Sequence, residues 1–508
     1  MKKRSNLLFL CLAVLFTIPA LIGLFHPGFF PTDDGNWMVI RFSAFYEALR
    51  NGQFPVRFLF RLNNGFGYPV ADFLYPLFMY IGVPIHILGF NFVNTVKIIL
   101  GLSLFFSSVF TFLWLRKLFD NISSFLGAVF YTLFPYHLFD VYKRGSVGEA
   151  VALSIAPFIF WQIERKNYIF TGVGIALLIT AHNSLAFIFI PFVVLYMLLK
   201  NQTLNLIKSF LLGFGLSAFF WLPALYDKQY TVFDKTAVSD FSGYFITLKD
   251  LNILGVIFFV VILGALSISY LRRSREYLYF LFTTLFFTVL LFPYSTIFWK
   301  YFPFVNYIQF PFRLISYIVL GASYLIASQI NLLQGKIKII FAVLFLIVIL
   351  YSAKDFILPK TYQYYPDSFY STNQDSTTVK NEYMPKWVKQ VPLSMANERV
   401  TVITGHESVQ NLFINGNKTN FSLYSPQNST LQFNTVYYPG WTVKIDNKTA
   451  SIDYKTNGLI RFFVDKGPHN ISIYFTETPL RLFSDFVTLI SLIAFGILAI
   501  KNRKILFK

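Results

Sequence analysis

Two adjacent carboxylates, Asp33 and Asp34, stand in Phe29-Phe30-Pro31-Thr32-Asp33-Asp34-Gly35, just past a long apolar run in a 508-residue chain that is only 13% charged. A carboxylate placed there can take a proton from a nucleophile or hold a divalent cation. It can equally cap the helix that follows, because Asp is a favoured N-cap and negative charge is stabilised at a helix N-terminus. Downstream, Tyr142-Lys143-Arg144-Gly145 with Glu149 sets two cations and a carboxylate in one short stretch, and Gln309-Phe310-Pro311-Phe312-Arg313 repeats the theme. A guanidinium there can grip a phosphate by two parallel hydrogen bonds, whereas lipid head-group binding and snorkelling are the plainer alternatives. His182 lies between two apolar runs, where a satisfied loop histidine is commoner than a reactive one. The six histidines, His26, His86, His137, His182, His406 and His469, show no ligand spacing, so a built-in zinc site is not expected. Asp33 and Asp34 supply too few ligands for a complete cation site, so the cofactor stays unknown, with Mg or Mn at that pair as the candidate.

The elements that hold these residues are membrane helices. At 55% hydrophobic residues and a mean hydropathy of +0.55, with repeated apolar runs, the chain cannot be a soluble globule. The net charge of +19 comes from Lys and Arg gathered between the apolar runs, as in cytoplasmic loops, and argues against nucleic acid as a partner. The single Cys11 excludes an internal disulfide.

Met1-Lys2-Lys3-Arg4 and the run 7–25 lack a small-x-small cleavage site and are expected to form an uncleaved first span. If 71–90 lies in the interface and does not cross, the clusters Arg116-Lys117, Glu164-Arg165-Lys166, Arg272-Arg273-Ser274-Arg275 and Lys501-Asn502-Arg503-Lys504 all become cytoplasmic. The spans are then 7–25, 93–115, 123–139, 149–163, 168–181, 184–199, 208–225, 251–271, 277–293, 313–330, 337–352 and 482–500, about twelve helices with both termini cytoplasmic.

This topology gathers Asp33, Asp34, Arg57, Arg61, Asp72, Asp140, Lys143, Arg144, Glu149, His182, Asp227, Lys228, Gln309 and Arg313 on the outer face. Ionisable groups at membrane depth cost about 2.5 to 3.5 kcal/mol each, so such groups are expected to be paired or used. Between Gly35 and Gln53, apolar residues alternate with Arg41, Glu47 and Arg50 at the spacing of an interfacial amphipathic helix, which Asp33 or Asp34 would cap. The expected division is a helical membrane domain over 1–352, with outer-loop and interfacial helices at 26–92. A connecting segment with little regular structure follows over 353–394, then an extracytoplasmic β-sandwich over 395–478 and a last helix with a basic tail over 479–508.

Taken together, the acidic pair, Gly67-Tyr68-Pro69 leading to Tyr75-Pro76-Leu77, Tyr142-Lys143-Arg144-Gly145 with Glu149, Gln309-Phe310-Pro311-Phe312-Arg313, and Tyr438-Pro439-Gly440-Trp441 before the last helix resemble the membrane proteins called 6-pyruvoyl-tetrahydropterin synthase-related, which are similar to the YfhO family. The pterin name is no guide to activity, since no zinc-binding histidine cluster is present. The resemblance implies a GT-C-like fold, that of glycosyltransferases using a polyprenyl-phosphate-linked sugar donor at the outer face of, here, a bacterial plasma membrane. It also implies that the essential acidic residue of the first outer loop falls on Asp33 or Asp34. On that reading one of the two is general base toward a hydroxyl of a glycan, lipid or polymer acceptor in an inverting transfer. Arg144 and Arg313, with Lys143, stabilise the departing lipid phosphate, while Glu149, His182 and Gln309 complete the substrate site.

Two other classes share these features. A lipid or glycan transporter or flippase would have the span count, but such proteins usually place charge near mid-membrane, where Lys97 is nearly alone, and carry an inverted repeat. A non-catalytic envelope-assembly protein would keep the helices and the sandwich without needing the outer acids.

Overall fold

The computed structural model describes residues 2–236, 241–269, 274–302, 304–405 and 409–501. Arg272, Arg273, His406 and the 502–504 part of the basic tail lie outside the described residues. The chain begins with α1 (Lys2–Phe25), α2 (Gly35–Arg50), α3 (Leu77–Ile87) and α4 (Phe92–Leu115). It continues with α5 (Asn121–Leu133), α6 (Pro135–Phe139), α7 (Val147–Glu164), α8 (Tyr168–Ala181) and α9 (Asn183–Leu199). Next come α10 (Thr203–Leu216), α11 (Ala218–Asp227), α12 (Phe233–Thr236), α13 (Gly255–Ile268) and α14 (Arg275–Leu290). The short α15 (Thr296–Tyr301) and α16 (Val305–Ile308) lead into α17 (Ile315–Leu332) and α18 (Gly335–Ala353); α19 (Asp367–Ser371) and α20 (Pro479–Lys501) complete the helices.

Local chemistry starts many of these helices. Asn91, Asp120, Asn167 and Ser274 each accept a backbone N–H of the first turn of α4, α5, α8 and α14, as N-caps do. Among the described residues seven helices are long and apolar enough to cross a membrane, or up to nine if the bent pairs α10 with α11 (71°) and α14 with the 293–301 segment (92°) each count once. The expectation of about twelve spans is therefore not met by length. Three of the expected spans fall on α8, α9 and α13, which have 14, 17 and 14 residues. A straight crossing needs about 20. A fourth, 208–225, is broken at Ser217. The α3 segment has 11 residues and is far too short to cross.

The basic residues Arg116, Lys117, Arg165, Lys166 and Lys200 follow the ends of α4, α7 and α9 at one end of the bundle. There Lys338 pairs with Asp120, and Lys200 pairs with Glu164 and Glu276 at 3.1 Å each. The opposite end carries the 26–91 loop, the 140–146 turn and the β-domain. Lys97, the charge nearest to a mid-membrane position in the sequence, donates to the His26 and Gly28 carbonyls beyond the end of α1 at 2.7 and 3.1 Å.

Strands β1 (Val400–Thr404), β2 (Val409–Asn415), β3 (Lys418–Ser425), β4 (Ser429–Val436), β5 (Trp441–Ile445), β6 (Lys448–Ala450), β7 (Leu459–Val464) and β8 (Gly467–Phe475) form two antiparallel sheets. Their orders are β1-β4-β7 and β2-β3-β8-β5-β6. The sheets meet where Phe433 contacts Trp441, with ring centres 5.7 Å apart.

In helix α2, Arg41, assigned to its polar face, is buried along with Val39, Phe42 and Phe45, because α3, α4 and α19 enclose it. The 353–394 segment packs against the helices as a strap. It forms a bridge from Gln363 to Phe29, accepts Ser43 Oγ at the Tyr370 carbonyl (2.7 Å), and forms a bridge from Pro385 to Thr231.

A buried ionic network joins the β-domain to the helices. Arg481 of α20 pairs with Asp227 (2.9 Å) and Asp72 (3.4 Å), and Tyr438 donates to Asp72 at 2.7 Å. Arg57 pairs with Asp485 (3.0 Å), Glu477 (3.3 Å) and Asp72 (3.5 Å). Removing one member of such a network leaves the others charged and unpaired, at about 3 to 5 kcal/mol. Arg481→Met is therefore expected to lower the unfolding temperature of the purified protein well below wild type, and more than Tyr438→Phe, which removes one hydrogen bond at about 1 to 3 kcal/mol. Thermal unfolding in detergent checks the order.

Candidate functional site

The site begins with two backbone segments pressed together. Gly145 adopts φ +65°, and a Cβ there would stand 2.8 Å from the backbone N and Cα of Gly35 and 2.6 Å from Thr32 Oγ1. Glycine permits both the left-handed conformation and the approach. Across this contact the Asp33 N–H donates to the Lys143 carbonyl (3.1 Å) and the Asp34 N–H to the Arg144 carbonyl (2.8 Å). The turn before α2 is thereby stitched to the π-helical turn over 140–144.

The stitching separates the acidic pair. Asp33 is exposed, while Asp34 is half-buried. Capping does not occupy either: Thr32 Oγ1 accepts the Gly35 N–H at 2.9 Å, and the Asp34 side chain makes no cap hydrogen bond. Burial raises the Asp34 carboxyl above the usual carboxylate range, and the Arg144 and Arg41 guanidiniums partly offset this.

Behind Asp34 lies a buried cluster centred on Glu149 at the start of α7. Its Oε1 pairs with Arg144 Nη1 and with Arg313 Nε, each at 2.7 Å, and lies 3.6 Å from His182 Nε2. Its Oε2 accepts the Tyr136 hydroxyl at 3.2 Å. Arg144 Nη1 also reaches Asp140 Oδ1 at 2.7 Å. Arg313 Nη1 is held by Ser184 Oγ (3.1 Å), the Ile308 carbonyl (2.9 Å) and Gln309 Oε1 (2.9 Å). The guanidiniums lie 5.2 Å and 5.0 Å from the ring centres of Phe312 and Phe310, which stack on each other. Among the described residues the Nη2 groups of Arg144 and Arg313 have no protein partner, so each fork keeps a donor edge for an anion.

Of the residues singled out in the sequence, Asp34, Arg144, Glu149, His182, Gln309 and Arg313 come together. Asp33 and Lys143 do not: both are exposed, because the turns that carry them point their side chains away from the cluster. Gln309 and His182 take supporting positions. Gln309, at φ +68°, orients Arg313, and His182 Nδ1 accepts the Leu185 N–H at 3.3 Å to cap α9, leaving its Nε2 toward Glu149. Residues missed from sequence include Arg41, about two helical turns after Asp34, and Tyr136, six residues before the singled-out Tyr142-Lys143-Arg144-Gly145 stretch. Tyr75, whose ring centre is 4.6 Å from that of His182, was also missed.

Among the described residues no group of three or more His, Cys, Asp or Glu is placed to hold a metal, and Asp34 faces Arg144 and Arg41, which would repel one. The pair Asp33 and Asp34, the metal candidate in sequence, is split between solvent and the cluster.

No family model matches the chain. An uncharacterised protein of Lactococcus lactis subsp. cremoris is 27% identical over 270 residues, 47% of this chain and 42% of that one, so the match spans about two fifths of the relative. Among solved structures, the apo oligosaccharyltransferase of Archaeoglobus fulgidus matches 74% of this chain and 57% of its own at 13% identity and a TM-score of 0.47. The mycobacterial arabinofuranosyltransferase AftD matches 71% of this chain and 27% of its own at 16% identity and a TM-score of 0.48.

Glu149→Gln removes the charge that compensates two buried guanidiniums and is expected to cost about 3 to 5 kcal/mol. Asp33→Asn, at an exposed position, should stay within about 0.5 kcal/mol of wild type. Thermal unfolding of the two variants beside wild type measures the contrast.

Proposed function

We propose that the chain is a membrane glycosyltransferase that moves a sugar from a polyprenyl-phosphate donor to an acceptor hydroxyl, on the face carrying the β-domain, with that face extracytoplasmic and both termini cytoplasmic. The observation that carries the reading is Asp34: a half-buried carboxylate that makes no cap hydrogen bond, beside two buried guanidiniums with open donor edges. A base next to an anion-binding pair is what displacement at a sugar–phosphate bond needs.

In the proposed step the acceptor hydroxyl gives its proton to Asp34 as its oxygen bonds to the anomeric carbon. The bond from that carbon to the phosphate oxygen breaks, and its electron pair leaves with the phosphate. Arg144 and Arg313 stabilise the growing phosphate charge through their open Nη2 edges, and Glu149 keeps both forks aligned. The leaving phosphate is a stable anion, so no general acid is required. A single displacement inverts the anomeric centre. No step passes through a metal.

Asp34→Asn is expected to lower transfer from a labelled polyprenyl-phosphate sugar in membrane vesicles by about 10² to 10⁴, the usual contribution of a general base. Asp33→Asn should retain activity. Undiminished transfer by Asp34→Asn at normal protein level would overturn the assignment.

A further inference from the structure

Five aromatic rings follow one another in contact from the helices onto the β-domain, and the transfer step uses none of them. Tyr226, in the last turn of α11, has its ring centre 6.2 Å from that of Tyr230, and Tyr230 lies 6.0 Å from Trp387 of the strap. Trp387 in turn meets Tyr437, which follows β4, at 5.5 Å and Tyr454, between β6 and β7, at 5.0 Å. The last two stack on each other at 4.1 Å and 8°. Tyr226 is exposed and the other four are half-buried.

Hydrogen bonds and one close backbone approach hold the rings in place. Trp387 Nε1 donates to the Tyr437 carbonyl at 2.7 Å, the Lys386 N–H to the Tyr230 carbonyl at 2.8 Å, and the Tyr437 N–H to the Gly458 carbonyl at 2.8 Å. Gly458, at φ +90°, lets the strap come near, because a Cβ there would stand 2.5 Å from Val388 Cα. Ten residues before Trp387 the same strap is pinned to α2: Arg41 donates through Nε to Thr377 Oγ1 at 3.2 Å, at a β-branched residue strained to φ +61°. One strap therefore runs from α2, which Asp34 precedes, to the row of rings.

The row offers polar groups as well as apolar faces. Among the described residues the Tyr437 and Tyr454 hydroxyls have no hydrogen-bond partner, and neither is sealed away from solvent. A sugar ring carries polarised C–H groups on its faces and hydroxyls around its rim. It can thus place C–H groups on the negative face of an aromatic ring and bond a phenol hydroxyl with its rim. A lipid chain would cover the rings and leave those hydroxyls unpaired. Steps of 5.0 to 6.2 Å between rings are also the size of one sugar unit, so an extended chain can meet several rings in turn.

We propose that Tyr226, Tyr230, Trp387, Tyr437 and Tyr454 form a ribbon that binds an extended glycan chain. The ribbon goes beyond the transfer reading and stands without it, since holding a chain requires no turnover.

The test is saturation-transfer NMR on the full chain, purified in a polyoxyethylene detergent that carries no sugar, with cellohexaose, chitohexaose and maltohexaose as probes. At least one should bind, and Tyr454→Ala and Tyr230→Ala should each weaken it about fivefold or more, the scale of one ring contact, at an unfolding temperature near wild type. Tyr454→Phe, which keeps the ring and loses the hydroxyl, should weaken it by a smaller factor. Asp34→Asn should bind as wild type does, so loss of transfer and loss of binding are told apart. The rival is an aromatic belt at the membrane surface. After reconstitution with brominated phosphatidylcholine, the fluorescence that Trp387→Phe removes should be unquenched. Binding of none of the three probes, binding unchanged in both alanine variants, or quenching of the Trp387 emission by the brominated lipid overturns the ribbon.

Discussion

The site depends on one buried carboxylate held between two guanidiniums. Glu149 is fully buried at the start of α7, and an unpaired carboxylate there would be heavily disfavoured in so apolar a bundle. Arg144 and Arg313, reaching it from different parts of the chain, make that charge tolerable. In turn Glu149 makes two buried arginines tolerable, and it fixes which edges of each fork remain free. The pairing draws the 140–144 turn, α7 and the entry to α17 to one point. Ser184, Gln309 and His182 then have fixed groups to support.

A second constraint is steric. Asp34 reaches this cluster because Gly35 and Gly145 let two backbones touch and exchange hydrogen bonds. Any side chain at Gly145 would separate the acid from the arginines. Asp34 also stands at the N-cap of α2 without a side-chain cap hydrogen bond, which leaves its carboxyl out of the role that this position usually assigns.

Much of this was legible from residue types. Apolar runs marked the helices, alternation marked the strands, and basic clusters fell at one end of the bundle, because burial and charge segregation are written locally. Arg144, Glu149 and Arg313 stood out as charges at span ends. What sequence did not separate was Asp33 from Asp34, because adjacent residues of one type differ only through the turn that aims them. Arg41 was assigned to solvent because its spacing fits an amphipathic helix, yet the strap covers that face. The strap is a polar segment with no periodicity, so its placement depends on Tyr68, Phe73 and Phe233, distant in sequence. The number of spans is not legible for a related reason: α8, α9 and α13 are short, and apolar length alone does not tell a short packed helix from a crossing one.

The strap also explains why the β-domain is tied so firmly to the helices. Residues 353–394 run from the end of α18 to the first sheet, and part of that path covers the site. If the β-domain could swing, the strap would be pulled with it, and the strained Thr377 turn would relax away from Arg41. The Arg481, Asp72, Asp227 and Tyr438 network fixes the far end of that tether against the first outer loop, the same loop that supplies Asp34. Stability at the domain junction and geometry at the site are therefore one mechanical problem: the charges buried near α20 hold still the outer loop that carries Asp34.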